Sequence, residues 1–117
     1  MNKILFIGYP RCSTCIKAYK ALQAKYEVEY RDIVKDNPDE KEIKIWISKG
    51  IKLDSLFNTH GKLYRELNIK EKKSVCSQEE LISLLAQNGM LVKRPLVVNG
   101  DTVLVGFKET EWSEKLN

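Results

Sequence analysis

Ile4-Leu5-Phe6-Ile7-Gly8-Tyr9-Pro10-Arg11-Cys12-Ser13-Thr14-Cys15 is the stretch that decides the fold. Its four apolar residues read as a buried strand, Gly8 to Arg11 turns the chain, and Cys12 to Cys15 opens a segment of helical spacing. Thiols at i and i+3 on the first turn of a helix are near enough to form a disulfide. The helix N-terminus also favours a thiolate, because its unpaired N–H groups and the helix dipole put partial positive charge there. Such placement lowers a cysteine pKa from ~8.5 to between ~3.5 and ~7.5. Cys12, nearest the unpaired amides, is the expected nucleophile, and Cys15 the thiol that resolves a mixed disulfide. The competing reading is two buried cysteines that pack as small apolar groups.

Working outward, Ile16, Ala18, Tyr19, Leu22 and Tyr26 recur at helical intervals, which predicts a helix over 13–25. Glu27 to Ile33 places Val28, Tyr30 and Asp32 on one side, a strand near a sheet edge. Asn37-Pro38-Asp39-Glu40 reads as a helix start with Asn37 as N-cap, and Gly50 as its stop. Leu53, Leu56 and Phe57 suggest a short helical piece, and Leu63, Tyr64 and Leu67 another. Ser77 and Glu80 form a capping box, and Asn88-Gly89 ends the helix that follows. Residues 95–98 and 102–107 flank Asn99-Gly100-Asp101, a hairpin signal with one extra loop residue or a bulge. Residues 108–116 read as a closing helix.

The order is β-α-β, a helical block over about 38–88, a β-hairpin and a helix. Such a chain makes an α/β domain with a mixed four-stranded sheet covered by helices. A Cys-x-x-Cys at the first strand–helix junction gives it the thioredoxin-like plan.

Composition bounds the rest. At 117 residues the chain is expected to be one domain, and 43% hydrophobic with 31% charged residues suits a soluble globular protein. No apolar run approaches the ~20 residues that span a bilayer. Met1-Asn2-Lys3 and the short run after it do not make a secretory signal, so the cytoplasm is expected. A monomer is expected as well. Close thiols in that compartment point to redox chemistry more than to a structural bridge. Zinc is disfavoured, since only Cys76 and His60 remain as further ligands, far apart in sequence. No metal or organic cofactor is expected beyond a thiol co-substrate.

The net charge of +4 is mild, and Lys41, Lys44, Lys49, Lys52, Lys62, Lys70, Lys72 and Lys73 are interspersed with acids. They read as a solvated face with no direct nucleic-acid contact. Arg11 and Lys17 flank the thiols and add positive potential. Ser13 and Thr14 supply backbone amides for a bound substrate. His60 is an incidental loop residue, Cys76 semi-buried packing, and Trp46 and Trp112 core or rim.

Over essentially its whole length the chain resembles the arsenate reductase-like (ArsC/Spx) family of thioredoxin-fold proteins. The matching stretches are Tyr9-Pro10-Arg11-Cys12-Ser13-Thr14-Cys15 with Lys17-Ala18, then Asn58 to Leu67, Asn88 to Val98, and Val105-Gly106-Phe107-Lys108. The resemblance implies a cis peptide before Pro95, with Pro95 beside the thiols and pairing with a bound partner's chain. It implies that Arg94 stands near Cys12, steadying a thiolate or an oxyanion. Glutathione-dependent arsenate reductases of the family use one N-terminal cysteine and three arginines. Cys12 and Arg94 match the cysteine and the middle arginine, while the other two positions fall near Asn58 and near Gly106-Phe107. Losing two guanidinium groups argues against holding a dianion. The Spx branch has the Cys-x-x-Cys and the Gly-aromatic pair, and binds the RNA polymerase α-subunit with its disulfide as a switch. This chain ends ten residues after Phe107, short of that branch's basic tail.

The expected function is therefore thiol–disulfide oxidoreduction by Cys12 and Cys15 with glutathione or thioredoxin as reductant. A redox-sensing regulator that binds RNA polymerase, and an arsenate reductase, are the alternatives.

Overall fold

The computed structural model describes residues 3–116. Two compact units divide the described residues, 3–32 with 94–116, and 33–93.

The first unit holds the sheet. Strands β1 (Lys3–Gly8), β2 (Glu27–Asp32), β3 (Leu96–Asn99) and β4 (Thr102–Val105) lie in the order β2-β1-β3-β4. β1 runs parallel to β2, with Phe6 opposite Tyr30 and Gly8 opposite Asp32, and antiparallel to β3. β2 is an edge strand, as its alternating pattern predicts. Helix α1 (Ser13–Gln23) makes the crossover from β1 to β2, and the helix at Glu109–Lys115 closes the chain. Ile4, Phe6, Val97 and Leu104 occupy alternate strand positions and therefore share one sheet face. They cluster with Cys15, Ala18 and Leu22 of α1 and with Trp112 and Leu116 near the C-terminus. Burying such side chains stabilises the unit by about 25 cal/mol per Å² of apolar surface removed from water. The Trp112 indole N–H donates to the Gly106 carbonyl at 3.3 Å, so this core tryptophan leaves no buried donor unpaired.

The hairpin is tighter than its sequence suggests. Asn99 stays in the ladder opposite Thr102, so the loop is only Gly100-Asp101. Gly100 takes φ +61° at the first loop position, where a type II′ turn needs a residue that tolerates positive φ.

The second unit is helical: α2 (Glu40–Ser48), a 3-10 turn at Leu53–Leu56, α3 (Lys62–Glu66), α4 (Ile69–Val75), α5 (Gln78–Gln87) and a 3-10 turn at Gly89–Leu91. The closing helix Glu109–Lys115 is thus α6. Buried Ile43 and Trp46 on α2 and Leu81, Ile82 and Leu85 on α5 form the apolar faces of two helices that pack together. Asn37 is not the cap of α2. Asp39 takes that place, its carboxylate accepting from the Glu42 N–H at 2.8 Å. Asn37 instead turns its amide to the end of α5, donating to the Leu85 and Ala86 carbonyls at 3.2 and 3.0 Å. These carbonyls lie in the last turn of α5, where the helix supplies few N–H partners; the Leu85 carbonyl also accepts from the Asn88 N–H at 3.3 Å.

The capping box at Ser77 and Glu80 is present, both hydrogen bonds made, at 3.1 and 3.0 Å. Gly89 ends α5 by close approach: a Cβ there would collide with the Ile33 carbonyl oxygen and lie 2.7 Å from the Asn37 side chain. Helix α4 is not signalled by the sequence, because only Ile69 of its residues is buried and no apolar period develops. Lys73 on that helix also departs from the solvated-face reading. Its side chain is 19% exposed, pairs with Asp54 at 2.6 Å and lies 5.0 and 5.1 Å from the Phe57 and Tyr64 rings. Burial opposes its charge, but Asp54 and Tyr64 outweigh that and push its pKa up.

Candidate thiol site

Cys12 is the N-cap of α1. Its extended backbone (φ −91°, ψ 116°) directs the side chain back over the helix, where Sγ accepts from the Cys15 N–H at 3.4 Å. Serine, threonine and aspartate cap helices with oxygen, and here sulfur takes the role. The preceding turn is closed by the Cys12 N–H donating to the Tyr9 carbonyl at 3.0 Å. Cys12 is half-buried and Cys15 is 1% exposed, and both are thiols in this structure. Gly8 makes room for the Phe6 ring, which a Cβ at position 8 would approach to 2.6 Å.

The two sulfurs differ sharply in acidity. Burial disfavours the Cys12 thiolate, but the Cys15 backbone N–H, the Cys15 thiol and the Arg94 guanidinium together outweigh it and hold the pKa below its ordinary value. Burial dominates at Cys15, and the neighbouring Cys12 charge adds to it. Hydrogen bonding from the Tyr9 backbone and the charge of Arg94 do not compensate, and the pKa is pushed up to about 12. A thiolate therefore forms first at position 12. Position 15, held chiefly by burial, keeps its proton.

Arg94 stands where the resemblance puts it. The Arg94–Pro95 peptide is cis, and the guanidinium interacts with the Cys12 sulfur both coulombically and by hydrogen bonding. Pro95 is buried, and its carbonyl accepts the Gly106 N–H at 2.8 Å. Arg11, Ser13 and Thr14 are exposed around the thiols, and Lys17 is 4.0 Å from Glu109, an ion pair open to solvent. Cys76 is half-buried before the Ser77 cap, as expected.

Two tyrosines belong to this region without having been singled out by the sequence. The Arg94 guanidinium carbon lies 5.3 Å from the centre of the Tyr9 ring. Tyr30 stacks on Phe6 with ring centres 5.7 Å apart and meets Tyr19 edge-on at 5.2 Å. Partial burial, then Asp32 and both cysteines, raise the Tyr30 pKa. The alternation in β2 puts Tyr30 on the side of Val28 and Asp32, but only the pairing of Phe6 with Tyr30 brings it under α1. Among the described residues no group of three or more His, Cys, Asp or Glu side chains could hold a metal ion, and no helix is long and apolar enough to cross a membrane.

A thiol helix cap on a β-α-β unit, with a cis proline opening the next strand, is a thioredoxin-like arrangement. Residues 7–115 match the ArsC family model. The chain belongs to the ArsC family. It is 44% identical over 113 residues to the uncharacterized protein YusI of Bacillus subtilis (strain 168), covering 95% of this chain and 96% of that one. The global transcriptional regulator Spx of Streptococcus pneumoniae (strain ATCC BAA-255 / R6) is 31% identical over 110 residues, with 92% and 80% covered. Among solved structures, an ArsC family related protein from Bacteroides fragilis superposes with a TM-score of 0.89 at 50% identity, covering 95% of each chain. The thioredoxin-like fold inferred for this ArsC family member is thus shared with its solved relative.

Proposed function

We propose that this ArsC family member is a cytoplasmic thiol–disulfide oxidoreductase that works through Cys12 and Cys15. The observation that carries the reading is the unlike setting of the pair: Cys12 caps the helix beside Arg94, and Cys15 lies buried one turn in, where burial pushes its thiol up. In the first step the Cys12 thiolate attacks one sulfur of a substrate disulfide, forms a mixed disulfide and expels the other half as a thiolate. Cys15 then gives up its proton and attacks the Cys12 sulfur. The Cys12–Cys15 bond forms, and the second substrate half leaves as a thiolate that takes up a proton. Two electrons pass from the dithiol to the substrate. A thiol reductant such as glutathione or thioredoxin returns them.

Arg94 and the helix N-terminus lower the cost of the Cys12 thiolate, while Arg11, Ser13 and Thr14 line the approach. The protein acts as a monomer without a metal or organic cofactor. The test is turnover of a glutathione mixed disulfide by purified protein. Activity that disappears in Cys12→Ser supports the reading, and no turnover by the wild type contradicts it.

A second reading rests on the similarity to Spx. In it the same oxidation changes a surface and not a substrate, and the partner is the carboxy-terminal domain of the RNA polymerase α-subunit. Retention on that immobilised domain in only one redox state, without disulfide turnover, favours this reading. Arsenate reduction is the weakest of the three, because by the family resemblance two of the three arginines of arsenate reductases would fall near Asn58 and near Gly106-Phe107, neither of them basic. Arsenate consumption coupled to glutathione or thioredoxin would restore it.

A further inference from the structure

Tyr9 touches each of the three groups on which the thiol site depends. Its carbonyl accepts the Cys12 N–H at 3.0 Å, its backbone hydrogen-bonds the Cys15 sulfur, and its ring lies 5.3 Å from the Arg94 guanidinium carbon. Any residue supplies the two backbone contacts. Only an aromatic side chain supplies the third, because the negative face of a π-system attracts a cation.

An arginine side chain has several freely rotating bonds, and its guanidinium is effectively always charged. Its Nε is buried here, and the orientation of the charged end beyond it sets the field at the sulfur. A ring under the guanidinium fixes that orientation without neutralising the charge, which a carboxylate partner would do. We propose that Tyr9 is a positioning residue whose ring holds Arg94 in place to act on Cys12. The proposal rests on the thiol-exchange reading and adds a determinant of how strongly the nucleophile is primed.

The titratable and charged groups that act on the Cys12 sulfur are Arg94 from the segment before β3 and Cys15 on its own helix. Only Arg94 among them is cationic at neutral pH. Loosening it therefore moves the pKa of Cys12 up, toward that of a free thiol.

The experiment is the pH dependence of Cys12 alkylation by iodoacetamide, measured in a Cys76→Ser background. The variants are Tyr9→Leu, which keeps apolar bulk without a π face, and Tyr9→Phe, which keeps the ring. Each is also made in combination with Arg94→Ala. The expected result is a midpoint raised in Tyr9→Leu, unchanged in Tyr9→Phe, and no effect of Tyr9→Leu once Arg94 is gone. Equal shifts in the Leu and Phe variants, or a Leu shift that survives Arg94→Ala, would overturn the proposal. A wild-type midpoint no lower than that of a free thiol defeats the exchange reading itself. A low wild-type midpoint indifferent to Tyr9 defeats only this proposal.

Discussion

The Cys12 sulfur caps the helix that carries Cys15, accepting its main-chain N–H at 3.4 Å. The same geometry that terminates the helix thus assigns different work to two chemically identical side chains. An exposed helix end rewards negative charge, and one turn further in the hydrophobic cluster penalises it.

Cys15→Ser separates the two steps of exchange. Attack by Cys12 needs no second thiol, so the variant still reacts with oxidised glutathione but cannot expel the bound half. Mass spectrometry should show one glutathione per chain accumulating on Cys12. The wild type should instead release glutathione and lose two hydrogens as Cys12 and Cys15 join.

Arg94→Ala removes the guanidinium that acts on Cys12. Its reaction with a neutral alkylating agent at pH 7 should slow by roughly threefold to tenfold as the thiolate fraction falls. Arg94→Lys should recover part of the rate, because the charge returns without the planar fork. A rate unchanged in Arg94→Ala would place the guanidinium outside the site's electrostatics.

The raised pKa of Cys15 predicts an alkaline stability loss. An acid whose folded pKa exceeds its unfolded value binds more protons when folded, so its contribution is complete below the unfolded value and is lost as pH rises. For Cys15 the window runs from 9.0 to about 12. Unfolding midpoints of the reduced protein should therefore fall more steeply across that window than those of Cys15→Ala. Parallel curves would mean that the buried thiol is not desolvated as described.

Gly89→Ala tests the close approach that ends α5. The added methyl must displace the Ile33 backbone, and urea unfolding should show a loss of roughly 1–3 kcal/mol, the usual cost of overpacking. A loss of only a few tenths would show that the segment yields freely.

Much of this architecture is legible in local sequence. The run Ile4 to Ile7, the Cys-x-x-Cys after a turn, the Ser77–Glu80 box and the edge alternation of Val28, Tyr30 and Asp32 each carry a short-range signal that the fold keeps. What is hidden depends on partners distant in sequence. Asn37 has a sound local rationale as a cap, but the carbonyls at the end of α5, 48 and 49 residues on, claim its amide. Lys73 looks like one more surface lysine until Asp54, Phe57 and Tyr64 surround it. Arg94 lies 82 residues from Cys12, and its place beside the thiols is legible only through family resemblance. The role of Tyr9 depends in turn on where Arg94 ends, and no pattern within the Tyr9-Pro10-Arg11 turn announces it.

The ultraviolet absorbance of the thiolate, followed against pH in the reduced Cys76→Ser protein, tests the split between the two sulfurs most directly. One thiolate should appear below the ~8.5 of a free cysteine, vanish in Cys12→Ser and persist in Cys15→Ser. Two ionisations that arrive together at or above the free-thiol value, or a first one that survives Cys12→Ser, would contradict it.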